Sequence, residues 1–525
     1  MAKLGEADPP SPRSEATMFR FLSAFFLCVF LASCSSQLPE GPRTTSAALT
    51  APASAPLSQI TRMWQGRTDG TSGVHIISNG IDALALRLGL AEQAVTSIDA
   101  QYYLLHNDEA GRLFTDALLR AADRGVRVRL LLDDMDTRGY DEATHALETH
   151  PNIEIRLFNP FARSHGKALS ALLEFRRINR RMHNKSMTFD GRVTIVGGRN
   201  IGDEYFSARE ESNYDDLDLL AAGPVVDDVG RTFDSYWNSR YAVPASQVIT
   251  PKEDGADLEA VRTALAQHRQ RIALTPYGGA LLDHIASLKR QPLQLTAARA
   301  TLLADPPEKA AGELPASETF AASMLPYVTA LESEFLVVSA YFVPRDSGTA
   351  LLRALEERGV DVTVMTNSLD ATDVPAVYAH YAHSRRDLLE AGVDLWELRA
   401  EKERPDRTLS GLGLSRSALH AKAFVLDRKL LFIGSFNWDP RSVRINSEMG
   451  ILVDSPALAT QAAVNFKKLL PEAAFHVQMG EDGRMQWLEH DAGNRWRLYR
   501  SEPILSQMRA TTAWLTGLLP IGGQL

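Results

Sequence analysis

Apolar and polar positions along this 525-residue chain fall into one rhythm that occurs twice. Ser97-Ile-Asp-Ala-Gln-Tyr-Tyr103 leads into a helix-spaced run from Ala110 to Arg124, and Gly125 then opens the apolar Val126 to Leu132. Phe335 to Phe342, Gly348 to Arg358 and Gly359 to Met365 repeat the sequence of events. A strand, a helix closed by Arg-Gly and a second strand predict a βαβ unit, and two copies predict an internal duplication. Downstream, Val193–Val196 and Leu430–Ile433 each read as the return strand of a pair that turns at Asp190-Gly191 or Asp427-Arg428.

The remaining stretches frame the two copies. Residues 1–17 are polar and proline-bearing and read as an upstream extension. From Met18, Arg20 precedes the apolar Phe21–Leu31 and then Leu31-Ala32-Ser33-Cys34, the pattern of a lipoprotein signal in which Cys34 is acylated. That run is short for a membrane-spanning helix. Cys28 lies inside it, so cleavage leaves Cys34 without a disulfide partner. The Ser, Pro, Thr and Ala that follow predict a flexible tether over 35–60. The first half then spans 61–241, a helical connector with proline-bearing turns 242–319, the second half 320–470 and a C-terminal extension 471–525. In that extension Trp487, Trp496 and Trp514, with Leu515, Leu518 and Leu519, suit either core packing, which is the expectation, or a bilayer interface.

At 45% hydrophobic residues the chain can bury two ordinary cores. Its net charge of -9 argues against a general nucleic-acid binder, so no nucleic-acid partner is expected.

The candidate chemistry sits within the repeat. His183-x-Lys185-x4-Asp190 returns as His420-x-Lys422-x4-Asp427; each is followed by a small pair, Gly197-Gly198 or Gly434-Ser435, and then by Asn200 or Asn437. Chance placement of Lys and Asp after any histidine predicts about 0.05 matches in such a chain; two matches sharing these sequels are therefore a site. His165-Gly-Lys167 has no aspartate at the required offset and reads as surface. On a strand, residues two apart share a face, so each His and Lys point the same way. An imidazole can serve as nucleophile or proton carrier, and the ammonium holds a phosphoryl oxygen.

These motifs resemble the paired HKD motifs of the phospholipase D superfamily, and the stretch from about Ser78 onward is similar to bacterial cardiolipin synthases of the C type. The resemblance implies an α/β fold, a pseudo-symmetric duplication of two phospholipase D-type mixed-sheet sandwich halves with the active site at their interface. It implies His183 as nucleophile and His420 as acid and base, the reverse remaining open, with Lys185, Lys422, Asn200 and Asn437 around the phosphoryl oxygens and no metal or cofactor. The superfamily counts Asp190 and Asp427 in its catalytic signature, although at strand turns they would fix the loop through hydrogen bonds. It further implies an acid after each motif that holds a histidine. Aligning Tyr214–Pro224 with Asn446–Pro456 gives Asp218 and Glu448, although 18 residues separate Asn200 from Asp218 and 11 separate Asn437 from Glu448.

The implied activity is cardiolipin synthesis by phosphatidyl transfer to phosphatidylglycerol, with water as the alternative acceptor. Phosphatidylglycerol or phosphatidylethanolamine is the donor, the membrane surface is a partner, and protein partners are open. A nuclease would want a basic groove, and a degenerate scaffold would have lost a motif His or Lys. Arg176, Arg177, Arg180 and Arg181 suit either phosphate binding or a solvated face. Thr366–Asp373 and the following 380–398 read as a headgroup wall or as an ordinary turn and helix. The expected location is the bacterial envelope, membrane-associated through Cys34. Replacing Cys34 by Ser should abolish incorporation of radiolabelled palmitate into the protein; undiminished labelling would remove the lipid anchor.

Overall fold

The computed structural model describes residues 38–39, 41–163, 174–209, 213–252, 255, 257–290, 293–312, 314–400, 418–490, 495–519 and 521–524. Cys28, Cys34 and His165-Gly-Lys167 lie outside the described residues. Among the described residues, no helix is long and apolar enough to cross a membrane.

The first half contains β1 (Thr71–Ile77), β2 (Ser97–Tyr102), β3 (Arg127–Asp133), β4 (Ile153–Phe158), β5 (Ser186–Phe189), β6 (Val193–Gly197), β7 (Tyr214–Asp215), β8 (Asp218–Ala222) and β9 (Ala242–Pro244). β2, β3 and β4 are parallel neighbours, joined by the helices Glu109–Asp123 and Asp141–Glu148, because a parallel pair needs a crossover. The antiparallel hairpin β5–β6 lies on the other side of β2, followed by β8 and β1, while β9 edges β4. The order is thus β9-β4-β3-β2-β5-β6-β8-β1.

The second half comprises β10 (Thr296–Ala304), β11 (Glu334–Ser339), β12 (Asp361–Asn367), β13 (Asp394–Leu398), β14 (Ala418–Leu419), β15 (Lys422–Leu426), β16 (Leu430–Gly434), β17 (Met449–Asp454) and β18 (Ala474–Met479). It repeats the order as β18-β13-β12-β11-β15-β16-β17-β10. The equivalent strands β1 and β10 pair with each other, antiparallel, Gly73 facing Ala297. Antiparallel pairing of equivalent strands is what a twofold relation between the halves requires. With β19 (Met485–His490) and β20 (Trp496–Tyr499) added at the second edge, the result is one 18-stranded sheet.

Helices cover the sheet because their apolar residues recur at helical spacing. The Glu109–Asp123 helix, N-capped by Asp108, buries Leu113, Phe114, Ala117, Leu118 and Ala121. A separate cluster joins Val196 and Leu219 of the first half to Ile433 and Ile451 of the second, so the halves share a core as well as a sheet.

Both β-hairpins carrying the motifs turn on two residues of positive φ: Asp190 (56°) and Gly191 (60°), Asp427 (52°) and Arg428 (51°). Such primed turns match the twist of the strands. Arg428 holds a conformation glycine would adopt freely, and its guanidinium is tied to Glu334 at 2.8 Å.

Several expectations need correction. The connector is not only helical, and the second half does not start at 320: β10 is its first strand and the seam to β1. Its burial alternates poorly, with most side chains at least partly exposed, so the apolar pattern that marks a strand is missing. The second half also runs past 470, since β18 is the counterpart of β9. Finally, the segment from Gly41 onward is no free tether. Arg156 and Arg129 donate to the carbonyls of Thr44 (2.5 Å) and Ser46 (3.1 Å), Ala48 N–H donates to Asp234 (2.8 Å), and Ala51 N–H donates to Asp190 O (2.8 Å). Small polar composition suggested a coil, but the partners are side chains far away in sequence. In the C-terminal extension Trp487 is buried, whereas Trp496 and Trp514 are 52% and 63% exposed, against the expectation of core packing.

The buried Asp190 carboxylate accepts the N–H groups of Val95, Thr96 and Ser97 at 2.7–3.1 Å. Its counterpart Asp427 accepts those of Glu332, Ser333 and Glu334 at a more exposed turn. Asp190→Ala should therefore lower unfolding free energy by about 3 kcal/mol and Asp427→Ala by about 1 kcal/mol. Urea titration of both variants checks this, and equal losses would contradict it.

Candidate active site

Each motif enters the site from a strand of one half and is fixed by backbone of the other. His183 N–H donates to Ser447 O at 2.9 Å, next to the bridge between Met182 and Ser447. His420 N–H donates to Asp215 O at 2.8 Å, where β14 pairs in parallel with β7. The side chains are crossed in the same way. His183 Nδ1 meets Glu448 Oε2 at 2.9 Å, and His420 Nδ1 meets Asp216 Oδ2 at 2.5 Å. A carboxylate on Nδ1 fixes the tautomer with the proton there and leaves the Nε2 lone pair free.

The acid beside His420 is thus Asp216, and the expectation of Asp218 is wrong. Strand register gives the reason: Gly197 faces Asp218 while Gly434 faces Gly450. Asp218 corresponds to Gly450, and the counterpart of Glu448 stands two residues earlier. Asp218 is instead fully buried against Arg87 (2.9 Å) and Arg199 (3.3 Å). The small pair after each motif exists to admit these acids. A Cβ on Gly198 would lie 2.1 Å from an Asp216 oxygen. Its counterpart Ser435 donates its hydroxyl to Glu448 at 2.5 Å, and Ser442 adds a second donor at 2.8 Å.

Lys185 and Lys422 lie beside the histidines, each donating to the carbonyl of its own motif histidine. Tyrosines line the remainder. Tyr103 meets the His183 ring edge-on at 5.1 Å, and Tyr205 and Tyr214 each lie 5.2 Å from the His420 ring. Tyr103 and Tyr341 each lie beneath a motif lysine but are one residue out of register, since Leu104 is the counterpart of Tyr341, so the duplication held no signal for them. Tyr205 and Tyr214 carried none either, whereas Asp216 stands opposite Glu448 when Tyr214–Pro224 is laid on Asn446–Pro456 without a gap. Asn200 is committed to scaffolding: its Oδ1 accepts from Leu104 N–H and its Nδ2 donates to Tyr205 at 2.9 Å. Asn437 accepts from Tyr341 N–H at 3.4 Å.

Burial governs the titration of these groups. It pushes His183 down to about 4, with Glu448 opposing. Burial raises Glu448, but His183 and Lys185 outweigh it and hold the carboxylate below its usual range. The pair rests as neutral imidazole beside an ionised acid. His420 is also lowered by burial and by Lys422, against Asp216. Lys185 falls to about 7 through burial, with Lys422 pushing the same way. A phosphodiester anion would restore both ammonium charges, since opposite charge favours the ionised form.

Other residues fall outside this centre. Asp190 and Asp427 stand at the far ends of β5 and β15 from the histidines and act on turns. Arg181 is buried on Asp133 at 3.1 Å, and Arg177 and Arg180 are spent on backbone carbonyls. Of the anticipated wall, Asp373 reaches the site, accepting from Tyr341 (2.8 Å) and Tyr214 (3.2 Å). The helical part is a structural network in which Arg385 pairs with Glu397 at 2.7 Å. Among the described residues, one group has metal-ligating donors within 4.8 Å of one another, His106, Asp108 and Glu204. There His106 lies 3.3 Å from Glu204, which also pairs with Arg209 at 2.9 Å, so ion pairing accounts for the cluster.

Residues 88–237 and 328–470 match the family model described as "Cardiolipin synthase, PLD-like domain". The chain is 39% identical over 463 residues to cardiolipin synthase C of Escherichia coli (strain K12), covering 86% of this chain and 96% of that protein. It is 30% identical to an uncharacterized protein of Helicobacter pylori (strain ATCC 700392 / 26695), covering 85% and 88% of the respective chains. The crystal structure of phosphatidylserine synthase from Haemophilus influenzae Rd KW20 aligns with a TM-score of 0.57 at 14% identity, covering 89% of this chain and all of that one. At that identity the likeness is one of fold.

The register of β6 on β8 separates two neighbouring aspartates. Asp216→Asn should lower turnover of a phosphodiester on the order of a thousandfold with little change in stability, because His420 loses its fixed tautomer. Asp218→Asn should cost roughly 3 kcal/mol of stability by leaving buried Arg87 and Arg199 undercompensated. Turnover and urea titration of both variants test the assignment, and the opposite ranking would overturn it.

Proposed function

Because the chain belongs to the cardiolipin synthase, PLD-like domain family, we propose that it transfers a phosphatidyl group to phosphatidylglycerol, making cardiolipin through a phosphohistidine. The observation that carries this reading is the crossed arrangement: two buried imidazoles, each held by a carboxylate of the opposite half, beside two lysines. One imidazole can bond phosphorus while the other handles the proton.

His183 Nε2 attacks phosphorus, and the bond to the departing alcohol breaks as His420 gives that oxygen its proton. The alcohol is glycerol when phosphatidylglycerol is the donor and ethanolamine when phosphatidylethanolamine is. His420 then takes the proton from the free hydroxyl of the acceptor phosphatidylglycerol, whose oxygen displaces His183. Lys185 and Lys422 offset charge on the phosphoryl oxygens. The environments favour this division of labour over its reverse. Glu448 divides its charge between His183 and two serine hydroxyls, which keeps His183 neutral and nucleophilic. Asp216 opposes the lowering of His420 and would stabilise an imidazolium there as it forms.

A lipid surface as partner is supported by the C-terminal extension, where Met508, Trp514 and Leu518 are 78%, 63% and 66% exposed. Apolar exposure clustered in one segment marks an interaction surface. It adjoins the centre, since Leu505 N–H and Arg509 bond Asp370 and Leu369, close to Asp373. Acylation at Cys34 would hold the protein at the envelope membrane.

Purified protein incubated with phosphatidylglycerol, with and without phosphatidylethanolamine, should yield cardiolipin by mass spectrometry. Phosphatidic acid alone would replace this reading with hydrolysis. The same assay read against pH should rise as His183 loses its proton near 4 and fall, in kcat/KM, as Lys185 loses its charge above about 7. A flat profile from pH 4 to 9 would exclude both roles.

A further inference from the structure

Beneath the active-site face of the first half lies a cavity of about 280 Å³, between β3, β4 and the helices Glu109–Asp123 and Asp141–Glu148. Its depth is apolar, with Leu118, Leu130, Leu147 and Ile155 on the walls; its rim carries His106, Asn107, Arg112 and Tyr140. Protein interiors pack with few voids larger than a water molecule. This one is roughly twice the ~150 Å³ of an apolar cavity that takes a benzene ring, room for on the order of a dozen carbons.

The rim adjoins the catalytic centre along the chain. Tyr103, against the His183 ring, begins the segment that forms the rim, and four residues to Asn107 span at most ~14 Å. Leu105 and His106 are held to Ile201, next to Asn200, by a bridge and by an N–H bond of 2.9 Å. Thr137, Gly139 and Tyr140, which follow β3, belong to the same face as Asp133, whose carboxylate accepts from Met182 N–H at 2.8 Å. In the second half the counterpart of the lining residue Leu105 is the larger Phe342, and its buried ring packs edge-to-face with Tyr381, as Tyr381 does with Tyr378, under the helix Pro375–Ala382.

We propose that this cavity binds one acyl chain of the phospholipid whose phosphorus reacts at His183, an inference that rests on the lipid reading above. A chain entering past Asn107 leaves its glycerol at the rim and its phosphate toward Lys185. Each methylene buried there changes affinity about fourfold, so the cavity sets a preference for chain length.

Two measurements test this, one of them independent of turnover. Dansyl-undecanoic acid should bind the full chain saturably by fluorescence and be displaced by dioleoyl phosphatidylglycerol. Ala143→Phe, which places a ring in the cavity, should weaken that binding at least tenfold. It should also lower the ratio of turnover on dioleoyl over dihexanoyl phosphatidylglycerol at least tenfold, while Leu147→Ala should move the preference toward longer chains. Unchanged probe binding and an unchanged chain-length ratio in Ala143→Phe would overturn the proposal, even if cardiolipin is made. Weakened probe binding in a chain that makes no lipid product would retain the cavity and remove the functional reading.

Discussion

The structure depends on the exchange of carboxylates between halves. Neither half holds a complete imidazole–acid pair: Glu448 reaches His183 and Asp216 reaches His420 only when β1 lies on β10 and the common core of Val196, Leu219, Ile433 and Ile451 has closed. A buried carboxylate without its partner is costly, and so is a buried lysine. Four such groups therefore tie the docking of the halves to the completion of the site. The hydrophobic seam supplies the driving force, and the charges make the relative position of the halves specific.

The same exchange explains how two similar motifs differ in chemistry. Both histidines are buried and both are lowered, yet their acids live differently. Glu448 is flanked by Ser435 and Ser442; Asp216 lies over Gly198, which has no hydroxyl to offer. Two serine hydroxyls thus share the charge of Glu448, whereas among the described residues Asp216 accepts only its neighbour's backbone, Leu217 N–H at 2.8 Å, beside His420. An ancestral symmetry has thereby been bent toward two roles.

The duplication, the βαβ units and the four motif residues His183, Lys185, His420 and Lys422 were legible in the sequence because they recur at fixed spacing. What failed was whatever depends on register or on distant partners. Asp218 was favoured over Asp216 because it opens the apolar strand, although laying Tyr214–Pro224 on Asn446–Pro456 without a gap sets Asp216 against Glu448, as the strand pairing does. β10 went unread because a seam strand that is half exposed lacks apolar alternation. The segment 41–55 looked like coil since its bonds go to Arg129, Arg156, Asp234 and Asp190, side chains that composition cannot foresee. Tyr205 closes a single 3-10 turn and Tyr214 opens the two-residue strand β7, elements too short for spacing to carry information about neighbours.

That last segment alters the geometry of attachment. A coil running from Cys34 to residue 60 would let the body roam over a wide disc of membrane. With the chain fastened from Thr44 onward, ten residues separate Cys34 from the body, at most about 36 Å when fully extended. Acylation at Cys34, as proposed above, would make so short an anchor a hinge pin. It would fix which side of the molecule faces the lipid, and it would keep the catalytic cleft at a nearly constant height above the bilayer while the protein diffuses in two dimensions.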